Sequence, residues 1–204
     1  MTTKFRAMFI VMVLTAVFSL VILSAQSQAG DDDEDIKAAK AVQVTLKKMG
    51  ESFKKGEKAE AKKTAVEAVK KIEETKHIMM AFRQRNKGGM GVGEKAGTNP
   101  AKDCIETTLR DLARDVPAGV AKQAEALETT GYWIAALGEM SIAKGWPKDQ
   151  GKKTKKAWTA YSEEMREAGI EFAKAAAAKG GQEIKKAAGK VNSACNNCHS
   201  IFKD

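Results

Sequence analysis

Side chains that do chemistry are scarce in this chain. Its 204 residues hold three cysteines and two histidines. A structural zinc site takes about four Cys or His ligands. The available set is Cys104, Cys195, Cys198, His77 and His199, with one paired knuckle instead of two. A zinc-binding or purely structural helical protein is therefore the alternative reading. Aromatics are 6% of the chain and prolines number three. No stretch alternates β-branched and polar residues as a strand does. The lysines spread along the chain without interleaved aromatics, so nucleic acid is not an expected partner.

Hydrophobic residues make up 43% and charged residues 30%, enough for one domain with its own core. Residues 1–29 read as a signal peptide. Lys4 and Arg6 precede an apolar run from Ala7 to Leu23, and Ser27 and Ala29 are small residues suited to cleavage. A retained membrane anchor is the alternative. Either way residues 30–204 are expected outside the cytoplasm, in the periplasm or an equivalent exported compartment. Without Lys4 and Arg6 the net charge falls from +9 to +7. A basic surface suits an acidic redox partner protein or a membrane surface.

Apolar spacing predicts helices throughout. Ile36, Ala39, Val42, Leu46, Met49 and Phe53 form one stripe, ended at Gly56. A second helix is expected from about Ala59 to Phe82. Asn86 to Pro100, with five glycines, reads as a flexible loop, and Asn99–Pro100 as a helix start. A short helix to about Asp115 and another from Pro117 to Ala143 come next. The last two helices are expected over Lys152 to Lys179 and Gln182 to about Phe202. The final stripe is Ile184, Ala188, Val191, Cys195, Cys198 and Phe202, which puts both cysteines on a buried face.

"ACNNCHS", Ala194 to Ser200, carries the chemistry. Two thiols three residues apart on a helix can add to the two vinyl groups of one covalent haem c, and the adjacent His199 then reaches the iron as an axial ligand. Such attachment takes place outside the cytoplasm, where the leader sends the chain. A thiol oxidoreductase would start a helix with its CxxC; here the motif ends one. A disulfide between Cys195 and Cys198 would close too small a loop. A peroxidase-like enzyme needs a distal acid–base pair, for which His77 is the sole candidate. His77 otherwise reads as a boundary or surface residue, Cys104 as a buried thiol or a link to a second chain, and the tryptophans as core or pocket walls.

"VNSACNNCHSIFK" near the chain end resembles the cytochrome c′ family, the class II c-type cytochromes. Phe202 and Lys203 match its aromatic and basic residues after the histidine, "AKAAAAKGG" with Trp158 and Phe172 its third helix, and "VQVTLKKMG" its first. The resemblance covers about Asp33 to Phe82 and Lys152 to Asp204. It implies an all-α four-helix bundle, with 83–151 as additional helices inserted between the second and third bundle helices. It also implies a monohaem protein serving in electron transfer or in binding small gases such as nitric oxide and carbon monoxide, an electron carrier or gas binder and not an enzyme, with a homodimer as one assembly. Counting from Gln43, with Val42 where the family has arginine, puts Leu46 on the distal face of an open, five-coordinate iron. Met49 is the alternative distal ligand, and Lys203 a substitute for the missing arginine at the haem edge.

Overall fold

Helical spacing is realised in nearly every described segment. The computed structural model describes residues 33–203 apart from 98, 100 and 101. Within them the fold is all-α, and the sole strand-like pairing among the described residues is an isolated bridge between Gln150 and Lys153. The chain divides into two units, residues 1–37 and 38–204. Of the first, residues 33–37 are helical; the signal-peptide reading of residues 1–29 lies outside the described residues. Among the described residues no helix is long and apolar enough to cross a membrane. The second unit holds the core and the CxxCH motif.

Helix α1 covers residues 33–54. Its stripe of Ala39, Val42, Leu46, Met49 and Phe53 is buried, as the three-and-four spacing requires. A Schellman turn ends it. The Glu57 N–H donates to the Ser52 carbonyl (2.8 Å) and the Gly56 N–H to the Phe53 carbonyl (3.0 Å), with Gly56 at φ +79°.

The expected second helix is two helices, α2 over Lys58–Val69 and α3 over Thr75–Met80. "KKIEE" between them holds no glycine or proline, so local propensity would continue the helix. A tertiary contact decides otherwise. The Lys144 ammonium donates to the carbonyls of Ile72 (2.5 Å) and Glu73 (3.1 Å), and Glu74 is extended. The charge-assisted bonds satisfy two carbonyls of the link that follows α2.

Helices α4 (Ile105–Arg114), α5 (Ala124–Lys144), α6 (Lys155–Ala177) and α7 (Gly181–Phe202) complete the unit, with 3-10 turns at Arg85–Lys87 and Val120–Gln123. Helix α5 packs on α6, α6 on α7 and α7 on α4, while α2 and α3 pack on α5. Segment 83–151, set apart as an insertion by the resemblance, thus supplies two core helices. The predicted helix start at Asn99–Pro100 comes later, at Ile105, with Cys104 at the cap position. Helix α6 is capped by Thr154, whose Oγ1 accepts the Ala157 N–H (3.1 Å), and by Asp149, whose Oδ1 accepts the Lys155 N–H (2.7 Å).

The α5–α6 pair is the closest approach. A Cβ at Gly138 would lie 2.7 Å from the Arg166 nitrogen and the Ser162 carbonyl oxygen. One at Gly131 would lie 2.6 Å from the Ala173 nitrogen, and one at Gly169 2.6 Å from the Ala135 nitrogen. Backbone therefore meets backbone at three levels, with no flexible side chain to yield. Arg166 Nη1 donates to the buried Glu139 carboxylate at 2.9 Å across the same seam, and Trp158 Nε1 to the Ser141 carbonyl at 2.7 Å.

Gly138→Ala and Gly169→Ala are each expected to destabilise the fold by about 2 kcal/mol or more, the range of overpacked cores. Gly119→Ala, where a Cβ meets nothing within 4 Å, should be close to neutral. Thermal denaturation by circular dichroism checks the contrast.

Candidate functional site

The last two turns of α7 present Cys195, Cys198 and His199 at positions i, i+3 and i+4, which share one helix face. Cys198 is buried at 6% exposure, and Cys195 and His199 are half-buried. All three line a cavity of 140 Å³ whose other walls are mostly apolar: Ile105 and Leu109 of α4, Ile134 and Leu137 of α5, and Met165 of α6. Helix α7 brings the motif there because Ile184, Ala188, Val191 and Ala194 continue the same buried stripe. The sequence expectation for the two cysteines is met at Cys198 and partly at Cys195.

A second, more open cavity of 750 Å³ adjoins the first. Met79, Arg83, Cys198 and His199 line both. An aromatic cluster closes one side. Phe202 packs edge-on against Trp146 (4.6 Å between centroids) and Trp158 (5.1 Å), with Tyr161 at 6.4 Å. Lys203 lies at the same mouth and is exposed.

Burial pushes the Cys195 thiol up to about 12, with the Glu106 carboxylate and Cys198 adding to it, and pushes Cys198 up to about 11. Both are therefore neutral thiols at physiological pH. A redox or nucleophilic pair needs the opposite, a thiolate favoured by positive surroundings. The arrangement instead offers two protonated thiols and an imidazole to one largely apolar space.

The remaining candidates lie elsewhere. Leu46 and Met49 are fully buried in the main core, and neither lines either cavity. His77 is nearly buried, not at the surface, and lines a separate cavity between α1 and α2. Cys104 is a buried free thiol, and neither it nor His77 lines the space beside Cys198. Among the described residues no group of three or more His, Cys, Asp or Glu side chains converges as a metal site. Trp133 is core, set over α1 beside Gly50 and Lys47.

Helical spacing reads Met79, with Met80, as core and does not single out Arg83. Their wall is held from both ends. Lys144 fixes the carbonyls of Ile72 and Glu73, and the Met90 N–H donates to the Ala81 carbonyl at 2.9 Å. Beyond it the described part of the glycine-rich stretch is a loop, as expected, and one held by many hydrogen bonds. Asp103 accepts the Val92 N–H (2.7 Å) and the Gly97 N–H (3.1 Å) and pairs with Arg85 Nε at 2.6 Å. Arg85 also donates to the Gly93 carbonyl (2.8 Å). Gly91, at φ +68°, passes so close that a side chain there would strike Arg85 and Asp103. Gln43 Nε2 ties the loop to α1 through the Gly88 carbonyl at 2.6 Å.

Comparison with family models, with curated proteins and with solved structures returned no match.

The Asp103 carboxyl sits below its ordinary value. Burial alone would raise it, but the Val92 and Gly97 N–H donors and the Arg85 guanidinium together outweigh burial. A depressed carboxyl adds stability above its unfolded pKa and loses it as pH falls through the folded value. Wild-type protein should therefore lose stability below about pH 4. Asp103→Asn should cost about 2 kcal/mol at neutral pH and show a flatter acid limb. Thermal melts across pH check both.

Proposed function

We propose that this protein is a monohaem c-type cytochrome, attached through Cys195 and Cys198 with His199 as axial iron ligand, and that its work is redox. The observation that carries the reading is that these three side chains, on one helix face, enter a single mostly apolar cavity. Their chemistry fits the group. Two free cysteines are what thioether formation with two vinyl groups consumes, the imidazole is a nitrogen donor for iron, and the apolar walls suit a porphyrin face. Arg83 and Lys203 at the mouth of the larger cavity suit its carboxylates. When bound, such a group supplies reversible one-electron transfer at iron. The chain's own part is to hold it, orient it and exclude water.

A bundle is supported by α5 packed on α6, α6 on α7 and α7 on α4; the family resemblance would instead count α1 as its first helix. Segment 83–151 contributes α4 and α5 to this packing, and the buried stripe of α1 shares the same core. The net positive charge supports an acidic redox partner.

Matured with haem-attachment machinery, the chain should carry one haem that survives denaturing electrophoresis and gives a c-type pyridine haemochrome. Cys195→Ser with Cys198→Ser should abolish covalent retention, and His199→Ala should lose the axial nitrogen signature in electron paramagnetic resonance. Stoichiometric zinc with no Soret band would overturn the reading in favour of the metal-binding alternative.

A further inference from the structure

Two cavities meet at Cys198 and His199, and what stands opposite decides what an iron there can do. Four residues line both cavities, Cys198 and His199 from α7 and Met79 and Arg83 from α3 and the turn after it. We infer that Met79 is the sixth ligand of the iron, its thioether placed across from His199, with Arg83 pairing to the carboxylates of the same group. This assignment rests on the cytochrome reading.

Several observations single out Met79 among the sulfur donors. It is half-buried and packs against the Trp158–Cys198–Phe202 cluster as well as the main core. Met165 lines the smaller cavity alone and comes from α6, which lies directly against α7. Helix α3 packs on α5, and its Met79 reaches the Cys198 and Phe202 end of α7 from there. Met80 lines the larger cavity alone, Met49 lines neither, and Leu46 has no donor atom. His77 lies two residues before Met79, or about 200° around the helix. It accordingly points the other way, into the α1–α2 cavity.

Arg83 comes four residues after Met79 and lines the same two cavities, with its side chain exposed. One flank therefore offers a neutral soft donor inside and a cation at the mouth. The segment between them is preorganised by Lys144 at Ile72 and Glu73 and by the Met90–Ala81 bond. A held thioether favours ferrous iron, raises the potential and closes the position to gases. Methionine ligation thus selects electron transfer over gas binding.

The test uses the full chain matured with covalent haem. Wild type should show a low-spin ferric spectrum with the far-red sulfur-to-iron charge-transfer band, and no ready carbon monoxide binding. Met79→Leu keeps the packing volume and removes the donor. It should lose the band, turn high-spin, bind carbon monoxide readily and shift to a lower potential. Met79→His should restore a low-spin spectrum without the sulfur band. Met165→Leu and Met49→Leu should leave the wild-type spectrum intact. A high-spin wild type that binds carbon monoxide, or a band that survives Met79→Leu, overturns the ligand assignment while leaving the cytochrome reading standing. A matured chain without a c-type haemochrome overturns both.

Discussion

The seam between α5 and α6 is the constraint from which the rest is built. Gly131, Gly138 and Gly169 let the two backbones approach to distances no side chain would permit, and the Glu139–Arg166 pair fixes their register. A helix pair this close leaves its remaining faces free to meet other elements. Helix α5 turns Ile134 and Leu137, and α6 turns Met165, toward the space beside Cys198. Helix α7 then lies on α6 and α4 on α7, so α4 to α7 surround the cavity and α3 adds Met79 to it.

Much of this was legible in the residues. The stripe from Ala39 to Phe53 gave α1, and the spacing from Ile184 to Phe202 gave both α7 and the inward turn of Cys198. Those signals are local: period, cap and breaker lie within a few residues of each other. The glycine-rich stretch was legible as a loop, but its order was not. That order comes from a carboxylate and a guanidinium that the sequence separates by 18 positions. The break after Val69 was hidden for the same reason, because its cause lies at the end of α5. The α5–α6 seam was equally silent, since isolated helical glycines read as mild weaknesses until the partner backbone is in place.

The candidate site was half legible. Cys195, Cys198 and His199 announce their chemistry by spacing alone. The opposite side does not, because it depends on which helix the fold brings across. Counting along the first helix leads to Leu46 and Met49, which the structure places in the main core. Met79 and Arg83 carry no motif. They become conspicuous once the segment 72–83 is seen pinned against α5 and turned toward α7. On the proposed reading, one ligand is written in a motif and the other in a topology.

Lys144 carries that division to its consequence. An ammonium at the end of α5 holds two carbonyls of the joint between α2 and α3, 72 residues earlier in the chain. A lysine-to-alanine change there looks like an ordinary loss of surface charge. In this fold it would free the carbonyls that anchor the joint leading into the Met79 segment. A residue that holds a distant joint can thus pass for a solvent-facing charge, and in this chain that position is occupied by one of its many lysines.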